Sequence, residues 1–199
     1  VMSDIGGSGV DQMSLKYVLR IPTYYDTFSF PTTSGPGALL VSYNMRPQDF
    51  RIQLANNVFA PTPLNYFSRM FAFYRGGVTV RIKAVKTEFH TGRLRVIISN
   101  VGTPSEFAYP INKIIDLKEA SEWTFDVPYM SPTVYAPCND PVIYPVVQFY
   151  VLNELRVPET AASTVNFLVE VCGGNDFEFA NPVTPANTRI SVSRTPTNL

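Results

Sequence analysis

Histidine, cysteine and charge are all scarce in this chain of 199 residues, and each scarcity removes a class of function. The single histidine, His90, excludes every multi-histidine metal centre and leaves one imidazole to serve as a base. Cys138 and Cys172 are the only cysteines, too few for a disulfide scaffold of a small secreted domain, and their spacing matches neither a metal site nor a CxxC redox pair. Both are read as reduced, although the sequence leaves a Cys138–Cys172 bridge open. Charged residues make up 16% of the chain, below the roughly 25% of a typical globular domain. Sixteen basic and sixteen acidic side chains cancel, so the whole molecule has no electrostatic drive toward nucleic acid or an anionic membrane. The longest largely apolar stretch, 142–152, is broken by Pro145 and Gln148 and falls short of the ~20 residues of a membrane span. The first residues, Val1-Met2-Ser3-Asp4 running into Gly6-Gly7-Ser8-Gly9, have neither the charged start nor the apolar core of a signal peptide, and the sequence holds no Asn-x-Ser/Thr acceptor. The chain starts at Val1, as a fragment or a product cut from a longer precursor would.

What is abundant is apolar, aromatic and turn-forming. Hydrophobic residues reach 45% and aromatics 13%, while 17 prolines and 11 glycines punctuate the length. Short apolar runs between turn signals predict an all-β protein. Residues 1–22 are expected as an extended N-terminal arm, opening on Gly6-Gly7-Ser8-Gly9, and 181–199 as an extended tail, with one β domain over 23–180 between them. Thr27–Phe30 and Leu39–Met45 read as two parts of a first strand split by the turn Ser34-Gly35-Pro36-Gly37. Pro63–Tyr74 has the three- and four-residue apolar spacing of a helix, stopped by Gly76-Gly77. Val78–Ala84 and Gly92–Ser99 alternate with period two and read as a hairpin around His90-Thr91-Gly92, after a bulge. Further strands are expected at Ile111–Leu117, Glu122–Val127, Val142–Leu152 and Thr164–Cys172, with a short segment at Thr133–Pro137. The 142–152 stretch is apolar on both parities, which predicts a central strand covered on both faces. The count is about eight antiparallel strands with one or two short helices in the connections, which suits a two-sheet jelly-roll sandwich.

A Gln12-Met13-Ser14-Leu15-Lys16-Tyr17 lead-in comes first, and then a Pro-Leu-x-Tyr-Phe helix running into Phe73-Tyr74-Arg75-Gly76-Gly77. The run Arg93-Leu94-Arg95-Val96-Ile97-Ile98, then Val127-Pro128-Tyr129, and a last strand ending in Asn175-Asp176-Phe177 complete the pattern. In these features the chain resembles a picorna-like virus capsid subunit, and more narrowly the capsid proteins of the dicistrovirus and iflavirus groups of invertebrate viruses. The resemblance covers nearly the whole chain. It implies an eight-stranded jelly roll that tiles an icosahedral shell and is released from a polyprotein. The partners it implies are the other major capsid subunits, genomic RNA held weakly or indirectly inside the shell, and a host receptor. The implied location is the virion, assembled in the host cell cytoplasm, with no membrane span, cofactor or metal. The alternative is a stand-alone carbohydrate- or receptor-binding, lectin-like β-sandwich.

Catalytic constellations are thin, and the chain is not expected to be an enzyme. His90 with Glu88 or Asp116 could form a base and its orienter, but a polar turn role fits His90 better. Arg75, Arg81, Lys83, Lys86, Arg93 and Arg95 form the one basic concentration, read as the solvated outer face of a single hairpin rather than an RNA contact. Tyr17, Tyr24, Tyr25, Tyr43, Tyr109, Tyr129 and Tyr135 are candidates for interfaces between subunits, or for packing on their own domain. The resemblance also marks Asn175-Asp176-Phe177, since an Asp-Asp-Phe triplet in these viruses is associated with cleavage of a capsid precursor. Here Asn175 replaces the first carboxylate, leaving Asp176 as a lone candidate base. The alternative is that Asn175 and Asp176 turn the chain after the last strand while Phe177 plugs the core.

Overall fold

A computed structural model describes residues 11–55, 58–100, 111–139 and 143–184. Gly6-Gly7-Ser8-Gly9 and Tyr109 lie outside the described residues, as does most of the expected C-terminal tail. In chain order the elements are α1 (Leu15–Leu19), β1 (Thr23–Pro31), β2 (Leu39–Asn44), β3 (Arg51–Ala55), β4 (Val58–Pro61), α2 (Pro63–Ser68), β5 (Phe71–Arg75), β6 (Val78–Val85) and β7 (Thr91–Asn100). They continue as β8 (Ile111–Asp116), β9 (Glu122–Val127), β10 (Ala136–Pro137), β11 (Pro145–Arg156), β12 (Thr164–Gly173) and β13 (Glu178–Pro182).

Eight of these strands form two four-stranded sheets, ordered β1-β12-β6-β9 and β2-β11-β7-β8, in which every neighbouring pair is antiparallel. Each sheet mixes strands from both halves of the chain, as a jelly roll requires. Period-two alternation turns one face of each strand inward. Val78, Val80 and Ile82 of β6, Leu94, Val96 and Ile98 of β7, and Val165, Phe167, Val169 and Val171 of β12 are all buried in one cluster. Aromatic rings fill the gap between the sheets: Phe28 stacks on Phe167 at 4.8 Å between centroids and meets Phe149 of the facing sheet at 4.9 Å. Such ring pairs add about 0.5–1.5 kcal/mol each beyond the area they bury.

Four expectations need correction. Residues 27–30 and 39–45 are not parts of one strand. They belong to β1 and β2, which pair with β12 and β11 in opposite sheets, because the glycine turn between them carries the chain across the sandwich. Nor do β6 and β7 form a hairpin; the five residues between them cross from one sheet to the other. The helix from Pro63 is half the expected length. Thr62 caps it, its hydroxyl accepting from Asn65 N at 3.3 Å, and it closes at Arg69. Phe71–Arg75 then becomes strand β5, because β10 and β13 offer it backbone partners on both edges, and that long-range pairing overrides the local periodicity. Finally, β11 is central, between β2 and β7, but only its first half is covered on both faces: Val146 and Val147 are buried, whereas Leu152 is exposed. Within the stretch expected as an extended arm, Leu15–Leu19 is helical with Leu19 buried, and β13 runs on to Pro182. A small β10-β5-β13 sheet and a β3-β4 hairpin, neither anticipated, flank the sandwich.

Candidate functional site

The Asn175-Asp176-Phe177 segment lies where β12 has just ended and β6 is about to begin. Two glycine pairs make the meeting possible. Gly174 N donates to Gly77 O at 2.9 Å, and a Cβ on Gly174 would come within 2.8 Å of that oxygen. Gly76 has φ of +98°, the left-handed region, and any side chain there would run into the backbone of Asp176 and Phe177. The chain turns as Phe177 N donates to Gly174 O at 3.2 Å. Across that turn Gly77 N donates to Asp176 Oδ1 at 3.0 Å. Phe177 is buried, stacked on Tyr74 and edge-on to Phe179, so the plug expected of it is in place. Asn175 points to solvent, and its carbonyl accepts from Arg20 Nη2 at 2.9 Å.

A groove of about 730 Å³ opens beside this turn, lined among others by Phe177 and Phe179, by Leu15 and Leu19 of α1, and by Tyr129, Pro132 and Val134. Glu178 at its edge is already occupied: Arg75 Nε approaches its carboxylate at 2.7 Å and the Tyr135 hydroxyl donates to it at 2.6 Å. That bond holds the Tyr135 phenol above its usual value. Asp176 therefore has no second free carboxylate assembled with it among the described residues, and the paired acid and base that proton shuttling needs is not built here.

The other candidates disperse. His90 is buried at the β6–β7 crossing, at the far end of β6 from Gly77. Thr87 N donates to its Nδ1 at 3.1 Å, so Nε2 carries the proton and donates to Ala162 O at 2.9 Å. This clamps two loops together, so His90 is a buried tie at the crossing between the sheets rather than a residue of a β6–β7 hairpin turn. Neither Glu88 nor Asp116 orients the ring; Asp116 is held by Arg93 Nε at 2.7 Å and by Lys118 N, and both hold its carboxyl below the usual range. The basic residues do not share one face. Arg81 and Lys83 stand on the β1-β12-β6-β9 sheet beside Glu122 and Glu170, whereas Arg93 and Arg95 stand on the other sheet beside Asp116 and Asn112. Each of these four has a neutralising or hydrogen-bonding neighbour. Of the tyrosines, Tyr43 is buried and packs edge-on to Tyr25, while Tyr17 and Tyr24 remain exposed. Cys138 and Cys172 are free and buried, and burial pushes the Cys138 thiol up to about 12. No group of three His, Cys, Asp or Glu suited to a metal occurs among the described residues, and none of their helices is long and apolar enough to cross a membrane. The sequence reading missed Arg20 and the groove, because α1 is too short to announce itself by periodicity.

The chain is 28% identical over 209 residues to the structural polyprotein of Cricket paralysis virus, covering 92% of this chain and 23% of that polyprotein. Among solved structures it is similar to a chain of the Triatoma virus empty capsid, with 27% identity and a TM-score of 0.78 over 92% of this chain and 80% of that one. A chain of black queen cell virus is similar at 27% identity and a TM-score of 0.76, over 95% and 82% of the two chains. The expected likeness to dicistrovirus and iflavirus capsid subunits is thus found, and the lectin-like alternative is not favoured. A structural polyprotein and virion shells as relatives agree with a structural rather than an enzymatic chain. Residues 9–199 match the family described as calicivirus coat protein, and across nearly its whole length the chain belongs to that coat protein family.

Proposed function

We propose that this chain is a structural subunit of a non-enveloped icosahedral virion, packing with other major capsid subunits to enclose an RNA genome. The observation that carries the reading is the pair of interleaved four-stranded sheets, superimposable over most of the chain on a subunit of the Triatoma virus capsid. RNA contact is weak or indirect, a reading supported by the dispersal and pairing of the basic side chains. Assembly in the host cytoplasm, ahead of any encounter with a receptor, is supported by two buried thiols that remain unpaired. Co-expression with sister subunits should give sedimenting particles that contain this chain. A monodisperse monomer at high concentration beside those sisters would overturn the proposal.

Within the shell, Asp176 serves as a turn lock. Its carboxylate accepts from a backbone amide, a bond that an amide oxygen can also make. Asp176→Asn particles should therefore assemble and mature normally. A persisting precursor band of a partner subunit in those particles would show instead that Asp176 acts as a base.

A further inference from the structure

Where β1 and β2, edge strands of the two sheets, come together, a small polar cavity opens between them and the β3–β4 hairpin. A bulge in β1 shapes it. Tyr25 is the extra residue between Tyr24, opposite Glu170, and Asp26, opposite Val169, and its ring packs edge-on to Tyr43 and to Phe50, each at 5.4 Å between centroids. The cavity holds about 320 Å³, at the small end of ligand pockets, and Tyr25, Asp26, Tyr43, Arg51 and Phe59 are among the residues that line it. Three of its polar groups are unmatched. Tyr43 is 5% exposed, yet its hydroxyl has no hydrogen-bond partner; the Asp26 carboxylate faces it without closing to bonding distance. Asp26 is in no ion pair among the described residues, and Arg51, stacked on the Phe59 ring at 4.4 Å, is in none either. The second acid of the cavity, Asp49, is different, because Arg46 already takes both its oxygens.

A buried hydroxyl without a partner is costly, and native chains seldom carry one that nothing satisfies. Burial, and after it the charge of Asp26, raise the Tyr43 phenol above its usual value, so it meets any ligand as a neutral hydroxyl. A ligand that served only this hydroxyl would leave the carboxylate of Asp26 and the guanidinium of Arg51 unmatched. A primary ammonium does more: one N–H donates to the phenol oxygen and another to Asp26, with the Tyr25 ring as an aromatic wall beside the cation. The Arg51 fork, on β3, suits an anionic phosphate or carboxylate. We propose that this cavity binds a small zwitterion, its primary ammonium held by Asp26 and Tyr43 and its anionic oxygens by Arg51. Phosphoethanolamine, free or as the headgroup of a lipid, has that chemistry. The site lies within one chain and does not depend on assembly into a shell.

Titration of the intact chain with phosphoethanolamine, followed by NMR, should show saturable binding. Tyr43→Phe removes one oxygen and keeps the ring, so it should weaken binding about tenfold, the worth of a hydrogen bond to a charged group, without lowering the urea midpoint. Asp26→Asn should weaken phosphoethanolamine and ethanolamine alike, whereas Arg51→Gln should weaken phosphoethanolamine and leave ethanolamine unchanged. Vesicles decide the source. Binding to phosphatidylcholine vesicles only when phosphatidylethanolamine is included supports the lipid headgroup, and binding of free phosphoethanolamine alone supports the soluble compound. No saturable binding, or equal binding by the parent chain and by Tyr43→Phe, would overturn the site and mark the hydroxyl as one that ordered water satisfies. A lowered urea midpoint in Tyr43→Phe would overturn it too, since the hydroxyl would then have its partner within the chain.

Discussion

The two large sheets present similar faces to each other and different faces to the outside. On β1-β12-β6-β9 most outward positions are polar and several pair across strands, with Leu168 and Cys172 of β12 among the apolar exceptions. Arg81 lies 3.2 Å from Glu122, Lys83 lies 2.7 Å from Glu170, and Ser29 donates to Asn166. On β2-β11-β7-β8 the outward parity includes Ile97, Val146 and Ser99, all buried although Ile97 and Val146 stand outside the central cluster, and Ile114, which is exposed. The first sheet is thus finished against water by cross-strand charge pairs, whereas the second carries apolar side chains on both sides.

That contrast can be attacked in order of expected effect. Phe167 is fully buried and stacked on Phe28, and Phe167→Ala should cost about 3–5 kcal/mol in urea unfolding, because stacked rings leave a cavity that cannot collapse. Ile97→Ala, on the outward side of the second sheet, should cost about 2–4 kcal/mol, while Thr124→Ala on the outward side of the first should stay within about 0.5 kcal/mol. Equal costs at the two positions would erase the difference between the faces. Glu170→Gln should cost less than about 1 kcal/mol, and the loss should shrink in high salt, as expected for a partly exposed pair. The smallest effect is acid dependence at Asp116, whose folded value Arg93 and the Lys118 amide hold below that of the unfolded chain. Its contribution is present above the ordinary aspartate range and is lost as pH falls through the lowered value. Arg93→Gln should make that part of the acid-unfolding curve shallower.

Much of the first sheet was legible in the sequence, and less of the second. Val78–Ala84, Glu122–Val127 and Thr164–Cys172 alternate cleanly because water on one side forces polar residues into every second position. The 142–152 stretch has no such constraint and gave a position in the sheet but not its true span. Partner choice was hidden everywhere: nothing local in Val85–Thr91 says that the chain changes sheets there, since the reason is a buried His90 held by a loop 72 residues away. Phe71 and Tyr74 kept helical spacing while lying in a strand, because that strand's partners, β10 and β13, come much later. At the candidate site Phe177 and the turn were foreseeable from residue types, whereas the contact between Arg20 and a backbone carbonyl leaves no trace in side-chain pattern.

The pairing of β1 with β12, Phe28 opposite Phe167, has a consequence for how the molecule comes into being. The first strand of the sandwich has as its sheet partner the last strand of that same sandwich, so neither sheet can close until almost the entire domain has left the ribosome. Until then Phe28 and Phe30 are exposed beside an unpaired edge, the circumstance that makes nascent β chains prone to associate wrongly. Synthesis as one stretch of a long precursor would lengthen that interval for no strand of this domain, because the closing partner lies within it. The domain thus contains the strand that completes it, and β1 finds its sheet partner only when residues 164–173 arrive.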